Sequence, residues 1–122
     1  MRSVSPSQLD TVRSEDDVFV LDVRPESDYQ RGHIDGSYNA PVYHELRSGE
    51  TDALNAYLDD IPTEAEVVTV CKAGVVAKTA TQTLDARGYD VATLTGGYMG
   101  WRQYEKNTLV YRIASVLSRL RP

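Results

Sequence analysis

The chain has one cysteine, Cys71, two histidines, one tryptophan and one phenylalanine among its 122 residues. A single thiol excludes an internal disulfide, a Cys-x-x-Cys redox pair and a multi-cysteine zinc site. Whatever Cys71 does, it does alone. No apolar run approaches the ~20 residues that span a bilayer, and the opening Met1-Arg2-Ser3-Val4-Ser5-Pro6 lacks the apolar stretch of a secretory signal. A cytoplasmic setting is therefore the expectation. Lysine is scarce: ten of the thirteen cations are arginine, against eighteen acids, for a formal charge of −5. That balance argues against a general affinity for nucleic acid, which needs clustered cations against phosphate.

What is present suits one compact soluble domain, with 41% hydrophobic and 25% charged residues,. Ser5-Pro6 reads as a helix start, Ser as cap and Pro at the first helical position, with Leu9 and Val12 on one face of a short helix to about Arg13. Val18 to Val23 is a β-branched and aromatic run, the pattern of a strand buried on both faces. Glu26 to Gly32 suits one or two helical turns, Ile34 to Pro41 turns with a short extended piece, and Thr51 to Leu58 a helix. Glu66 to Val70 is a second buried strand that runs straight into Cys71. Lys72-Ala73-Gly74-Val75-Val76 forms a small-residue loop, Ala77 to Ala86 a helix closed by Gly88, and Val91 to Leu94 a third strand. Gly96-Gly97 then turns the chain into a short helix from Tyr98 to Tyr104. Strands and helices alternating at this interval favour an α/β domain with a parallel sheet.

A cysteine at the carboxyl end of a buried strand, followed by a loop and a helix, sits where open α/β sheets place their ligands. A loop feeding a helix start aims several backbone N–H groups at one point, and those groups with the helix dipole stabilise an anion there. Lys72 adds a positive charge. The arrangement suits a nucleophilic thiolate and a charged sulfur species attached to it. Taken alone, a cysteine ending a core strand is equally well explained by packing, since free Cys is among the most buried residues.

Three separated blocks add to this. The first is Leu21-Asp22-Val23-Arg24 with Glu26, Tyr29, Gly32-His33-Ile34, Gly36 and Asn39-Ala40-Pro41. The second is Cys71 with Gly74, and the third is Leu94-Thr95-Gly96-Gly97-Tyr98-Met99-Gly100-Trp101. In these blocks the chain resembles the rhodanese family of sulfurtransferase domains over residues 1–104. The resemblance implies a central parallel five-stranded sheet flanked by helices, with Cys71 as the catalytic nucleophile and carrier of sulfane sulfur. It implies that a donor such as thiosulfate or a persulfide gives its sulfur to Cys71, and that a thiol or cyanide takes it away. Substrate would then be held by the loop Lys72, Ala73, Gly74, Val75, Val76 and Ala77, with no metal and no organic cofactor.

One departure stands in the loop. Many active members carry an arginine five positions after the cysteine, and here that position is Val76, which predicts weaker binding of a doubly charged donor. Asp22 and Arg24 read as mainly structural, Arg24 being the one that shapes the charge of the pocket and so a candidate substrate contact. His33 suggests a Cys–His pair, but the family resemblance makes it part of a scaffold motif. His44 reads as a surface residue.

Residues 105–122 lie outside the resemblance and form a basic amphipathic addition to the 1–104 domain. Leu109, Ile113, Val116, Leu117 and Leu120 recur at helical spacing with Arg112, Arg119 and Arg121 between them,. Four cations against one Glu give this segment +3 and leave −8 on residues 1–104 of the formal −5. The expectation is a helix that folds back on its own acidic domain or pairs with a second copy, ahead of docking on a membrane or another partner. Functionally, a single-domain sulfurtransferase competes with a non-catalytic rhodanese-like binding or redox-sensing module. A phosphatase or arsenate reductase needs an arginine six positions after the cysteine, where this chain has Ala77.

Overall fold

The computed structural model describes residues 2–120 other than Asp16. Arg121, counted above among the tail cations, lies outside them. Five parallel strands form one sheet: β1 (Ser3–Val4), β2 (Val18–Asp22), β3 (Tyr38–Asn39), β4 (Glu66–Val70) and β5 (Val91–Leu94), in the order β1-β5-β4-β2-β3. The helices are α1 (Pro6–Glu15), α2 (Glu26–Arg31), α3 (Tyr43–Arg47), a 3-10 helix over Thr51–Asp60, α4 (Val76–Asp85) and α5 (Gly97–Arg119).

Strand side chains alternate between two cores, as the period of two requires. Val67 and Cys71 join the core under α3, the 3-10 helix and α4, with Leu54 and Leu84. Val68 and Val70 face the other core, under α1 and α5, with Leu9, Leu94 and Trp101. Both faces of β4 are therefore covered, which is why it reads as a β-branched run from Val67 to Val70,. The chain winds outward from β2 to β3 and then returns past β2 to β4, so the winding reverses between β2 and β4. Their carboxyl ends open the crevice in which such sheets bind ligands. Val23 N–H donates to Val70 O at 2.8 Å and extends the pairing to that rim.

The parallel five-stranded sheet flanked by helices agrees with the expected fold class, and β4 and β5 have the expected limits. Ser5 caps α1 as its sequence suggests: Gln8 N–H donates to Ser5 Oγ at 3.2 Å, and Ser5 N–H donates back to Gln8 Oε1 at 2.8 Å,. Four elements differ from the sequence reading. Helix α3 lies where that reading assigned no element. Strand β1 has two residues, too few to show a period, and exists through its pairing with Thr93 and Leu94 of β5. Thr51–Asp60 is wound as a 3-10 helix that buries only Leu54 fully. Helix α5 runs unbroken from Gly97 to Arg119, because no glycine or proline lies between Gly100 and Arg119,.

Three buried hydroxyls tie α4 to the sheet. Thr81 lies 2.7 Å from both Thr69 of β4 and Thr93 of β5, and Thr69 also donates to Ala77 O at 3.1 Å. Thr81→Val keeps the shape and leaves Thr93 short of its partner, so a loss of about 1–3 kcal/mol is expected. Urea unfolding of the two proteins measures it.

Candidate functional site around Cys71

Cys71 leaves β4 at the reversal of the sheet and is 2% exposed. Its Sγ accepts the Gly74 N–H at 3.1 Å. The loop can close this tightly because Gly74 has φ +91°, and a Cβ there would sit 3.1 Å from Gly96 N,. Two further bonds fix the loop from below. Tyr98 N–H donates to Cys71 O at 2.8 Å, and Met99 N–H donates to Lys72 O at 3.0 Å. The first turn of α5 thus takes up the loop carbonyls, and this leaves the loop N–H groups free to face the other way. Among the described residues, the N–H groups of Lys72, Ala73, Val75, Val76 and Ala77 meet no protein acceptor. Val75 occupies the cap position of α4 and supplies no side-chain bond. A Ser or Asp there would have occupied the first amides of α4, whereas valine leaves them for a ligand.

The third glycine of the site has the closest fit. Gly97 has φ +59°, and a Cβ on it would collide with Cys71 O and lie 2.7 Å from the Lys72 carbonyl carbon. The Gly96-Gly97 turn is therefore what lets α5 begin directly beneath the cysteine loop.

Cations gather on both sides of this loop. Lys72 lines a cavity of about 270 Å³ with Arg24, Arg31, Arg102 and one acid, Asp28. On the far side, Ala73, Gly74 and Val75 line a cavity of about 350 Å³ with Arg2 and Lys78. Six of the nine cations in residues 1–104 therefore border the loop of an otherwise acidic domain. Fields of one sign in a cleft raise the local concentration of oppositely charged ligands.

Arg24 is 5% exposed and largely committed to the protein. Its Nε and Nη2 hold the Asp22 carboxylate at 3.0 and 2.8 Å, Nη2 also reaches Gly32 O at 2.8 Å, and the guanidinium lies 4.0 Å from the centroid of the Tyr98 ring. It positions the cavity wall and adds charge to it. Val76 is half-buried and packs against the apolar cluster that contains Cys71 and Leu84, so this position offers the loop no charge. His33 stacks on Tyr29 with ring centroids 3.9 Å apart and donates from Nδ1 to Tyr29 O at 2.9 Å. His44 is exposed. Sequence reasoning missed Arg31 and Arg102 as cavity residues. The i to i+4 spacing of Tyr98 and Arg102 was the available signal, and the neighbouring Tyr98 raises the Arg102 pKa,. Among the described residues no group of three or more His, Cys, Asp or Glu is placed to hold a metal ion, and no helix is long and apolar enough to cross a membrane.

Comparison with known proteins finds relatives of this chain and of its fold. A family model described as a rhodanese-like domain matches residues 5–104. The thiosulfate sulfurtransferase GlpE of Shewanella oneidensis is 26% identical over 103 residues, covering 84% of this chain and 93% of that protein. A helix-turn-helix transcriptional regulator of Mycobacterium tuberculosis, Rv0324, is 28% identical over 102 residues, 82% of this chain and 41% of the regulator. The crystal structure of a rhodanese-related protein from Thermoplasma volcanium superposes with a TM-score of 0.70 at 23% identity, covering 85% of this chain and 93% of that one.

The Gly97 contact makes a testable point about the loop. Gly97→Ala is expected to push the loop off the first turn of α5 and speed the labelling of Cys71 by a thiol-reactive dye several-fold. Gly88→Ala carries similar backbone strain at φ +88° with nothing within 4 Å of the new Cβ. It should label like the parent protein.

Proposed function

The chain belongs to the rhodanese-like domain family, and on that premise we propose that it is a sulfurtransferase carrying a sulfane sulfur on Cys71. The observation that carries this reading is the Cys71 Sγ under the Gly74 N–H, inside a loop whose other amides have no acceptor among the described residues. In the first step the thiolate attacks the outer sulfur of a donor. With thiosulfate, the S–S bond of the donor breaks, sulfite leaves with the bonding pair, and Cys71 becomes a persulfide anion. In the second step an acceptor attacks the outer sulfur. Cyanide leaves as thiocyanate and the thiolate returns, so atoms and charge balance without any cofactor.

The chain's own residues supply three things. Gly74 and the open amides through Ala77 stabilise the negative sulfur in both states, as preorganised donors do wherever charge resides. Lys72, Arg31 and Arg102 on one side, and Lys78 on the other, draw in an anionic donor. Val76, packed against the apolar core, holds the start of α4 and with it the loop amides in place. With Val76 in the loop, the charge that meets the donor lies at the rim. The reading therefore favours persulfide donors over thiosulfate.

Intact mass measurement after incubation with thiosulfate or an organic persulfide tests the proposal. One added sulfur is expected, removable by cyanide and absent in Cys71→Ser. Failure with thiosulfate, mercaptopyruvate and protein persulfides alike would support the alternative of a binding or redox-sensing module, which the likeness to part of a transcriptional regulator keeps in view. The loop departure has its own test. Val76→Arg is expected to lower the KM for thiosulfate several-fold with little change in kcat, and an unchanged KM would remove charge at this position from the explanation.

A further inference from the structure

Helix α5 has two halves with different surroundings. Its first turns are held to the domain: Trp101 is 2% exposed, Arg13 lies 4.8 Å from the centroid of its ring, and Tyr104 donates to Asp10 at 2.7 Å. Beyond Tyr104 the helix continues as an arm. Leu109, Val110, Ile113, Val116, Leu117 and Leu120 are each 51 to 74% exposed. Six large apolar side chains along one stripe of a helix are an unmatched surface.

Among the described residues, the body meets this stripe at its base, where Leu109 borders a cavity with Asp10, Arg13 and Trp101. Among the described residues, the other large exposed apolar side chains of the domain are Val75 and Met99, which flank the cysteine loop among cations. The arm itself is basic, so that face repels it. The arm does match a second arm. Leu109, Ile113, Val116 and Leu120 follow one another at steps of four, three and four, the alternation of a coiled-coil seam, with Val110 and Leu117 widening it,.

We propose that two copies of this chain pair through antiparallel arms about a two-fold axis. Leu109 of one copy then meets Leu120 of the other, and Ile113 meets Val116. Charge selects this direction. Antiparallel pairing holds the two acidic bodies, −8 each, at opposite ends and brings each tip, with Arg119, toward the base of the other arm, where Glu105 and Asp10 sit. Parallel pairing sets the two bodies side by side and puts Lys106 against its own copy in the seam. The cost is that Arg112 and Arg119 of the two copies share one flank, and their long stems let the charged heads reach water. At about 100 Å² for each of the six side chains, the dimer buries on the order of 1,200 Å² in total, at the lower edge of stable interfaces. A dimer that forms at about micromolar concentration or above is expected.

Light scattering on the full chain, from about ten to several hundred micromolar, reads the outcome. The parent protein should approach twice the chain mass, and Ile113→Glu with Val116→Glu should be monomeric while keeping its helical circular dichroism and its thiol chemistry. Direction is read by mixing Ile113→Cys with Val116→Cys under oxidation: a mixed disulfide should outweigh either self-pair. A parent protein that stays monomeric throughout overturns the proposal, as does a dimer that survives the double substitution. A monomer that sediments with phosphatidylglycerol vesicles overturns it in favour of a lipid surface. Dominant self-pairs overturn the antiparallel direction.

Discussion

The rest of the site depends on two backbone hydrogen bonds, from Tyr98 N–H to Cys71 O and from Met99 N–H to Lys72 O. A loop has as many carbonyls as amides, and a site for an anion must send the two in different directions. Here the first turn of α5 takes the carbonyls, which it can do because the first amides of any helix lack intrahelical partners. The amides of the loop, which continue into the first amides of α4, are left to the sulfur. Two helix starts thus meet at one cysteine loop, one holding its carbonyls and one lending its amides. Gly97 is the narrowest point of that arrangement, since any side chain would occupy the place of the Cys71 carbonyl.

The charge distribution follows the same logic at longer range. A domain with a surplus of acid would repel an anionic ligand if its cations were spread evenly. Arg2, Arg24, Arg31, Lys72, Lys78 and Arg102 instead border the two cavities beside the loop, with Asp28 the only acid among the described residues that line either. Arg24 shows how such a cation is kept. Its charge is answered by Asp22 inside the core, its edge by Gly32 O and its face by Tyr98, so its burial is supported on every side,. The pair thereby joins the ends of β2 and α2 to the first turn of α5, the element that anchors the cysteine loop.

Much of this was legible in the sequence, and the boundary has a physical cause. Strands β4 and β5 and the capped start of α1 announce themselves through local patterns: short runs rich in β-branched residues, and Ser5-Pro6 ahead of Leu9 and Val12. Cys71 and its loop are contiguous in sequence, so their chemistry could be read there. The anchoring of the loop could not, because it joins residue 71 to residue 98 through backbone groups that have no residue-type signature. The same holds for β1, whose two residues become a strand only beside Thr93 and Leu94, and for Arg31 and Arg102, which share a cavity with Lys72 only after the sheet has wound. The direction of Val76 also needed the fold. Its residue type showed that a charge was absent, and only its packing against the core showed that the loop had become a face of the apolar cluster.

The single cysteine takes on a further meaning once α5 is seen as one rod. Its amino end holds the cysteine loop and its carboxyl end is the exposed arm, and 23 residues at ~1.5 Å each separate the two by roughly 35 Å,. Arms that pair antiparallel therefore place two cysteine loops at opposite ends of the assembly, far beyond the contact distance that sulfur transfer between them would require. No second thiol within the chain can resolve a persulfide either. If Cys71 carries sulfur as proposed, its release would wait for an acceptor from outside, and the cation-lined cavities beside each loop are where that acceptor would enter. Under the proposed function such isolation would suit a carrier, because a sulfur that neither a second thiol nor a twin site could remove would stay on Cys71 until a diffusing acceptor arrived.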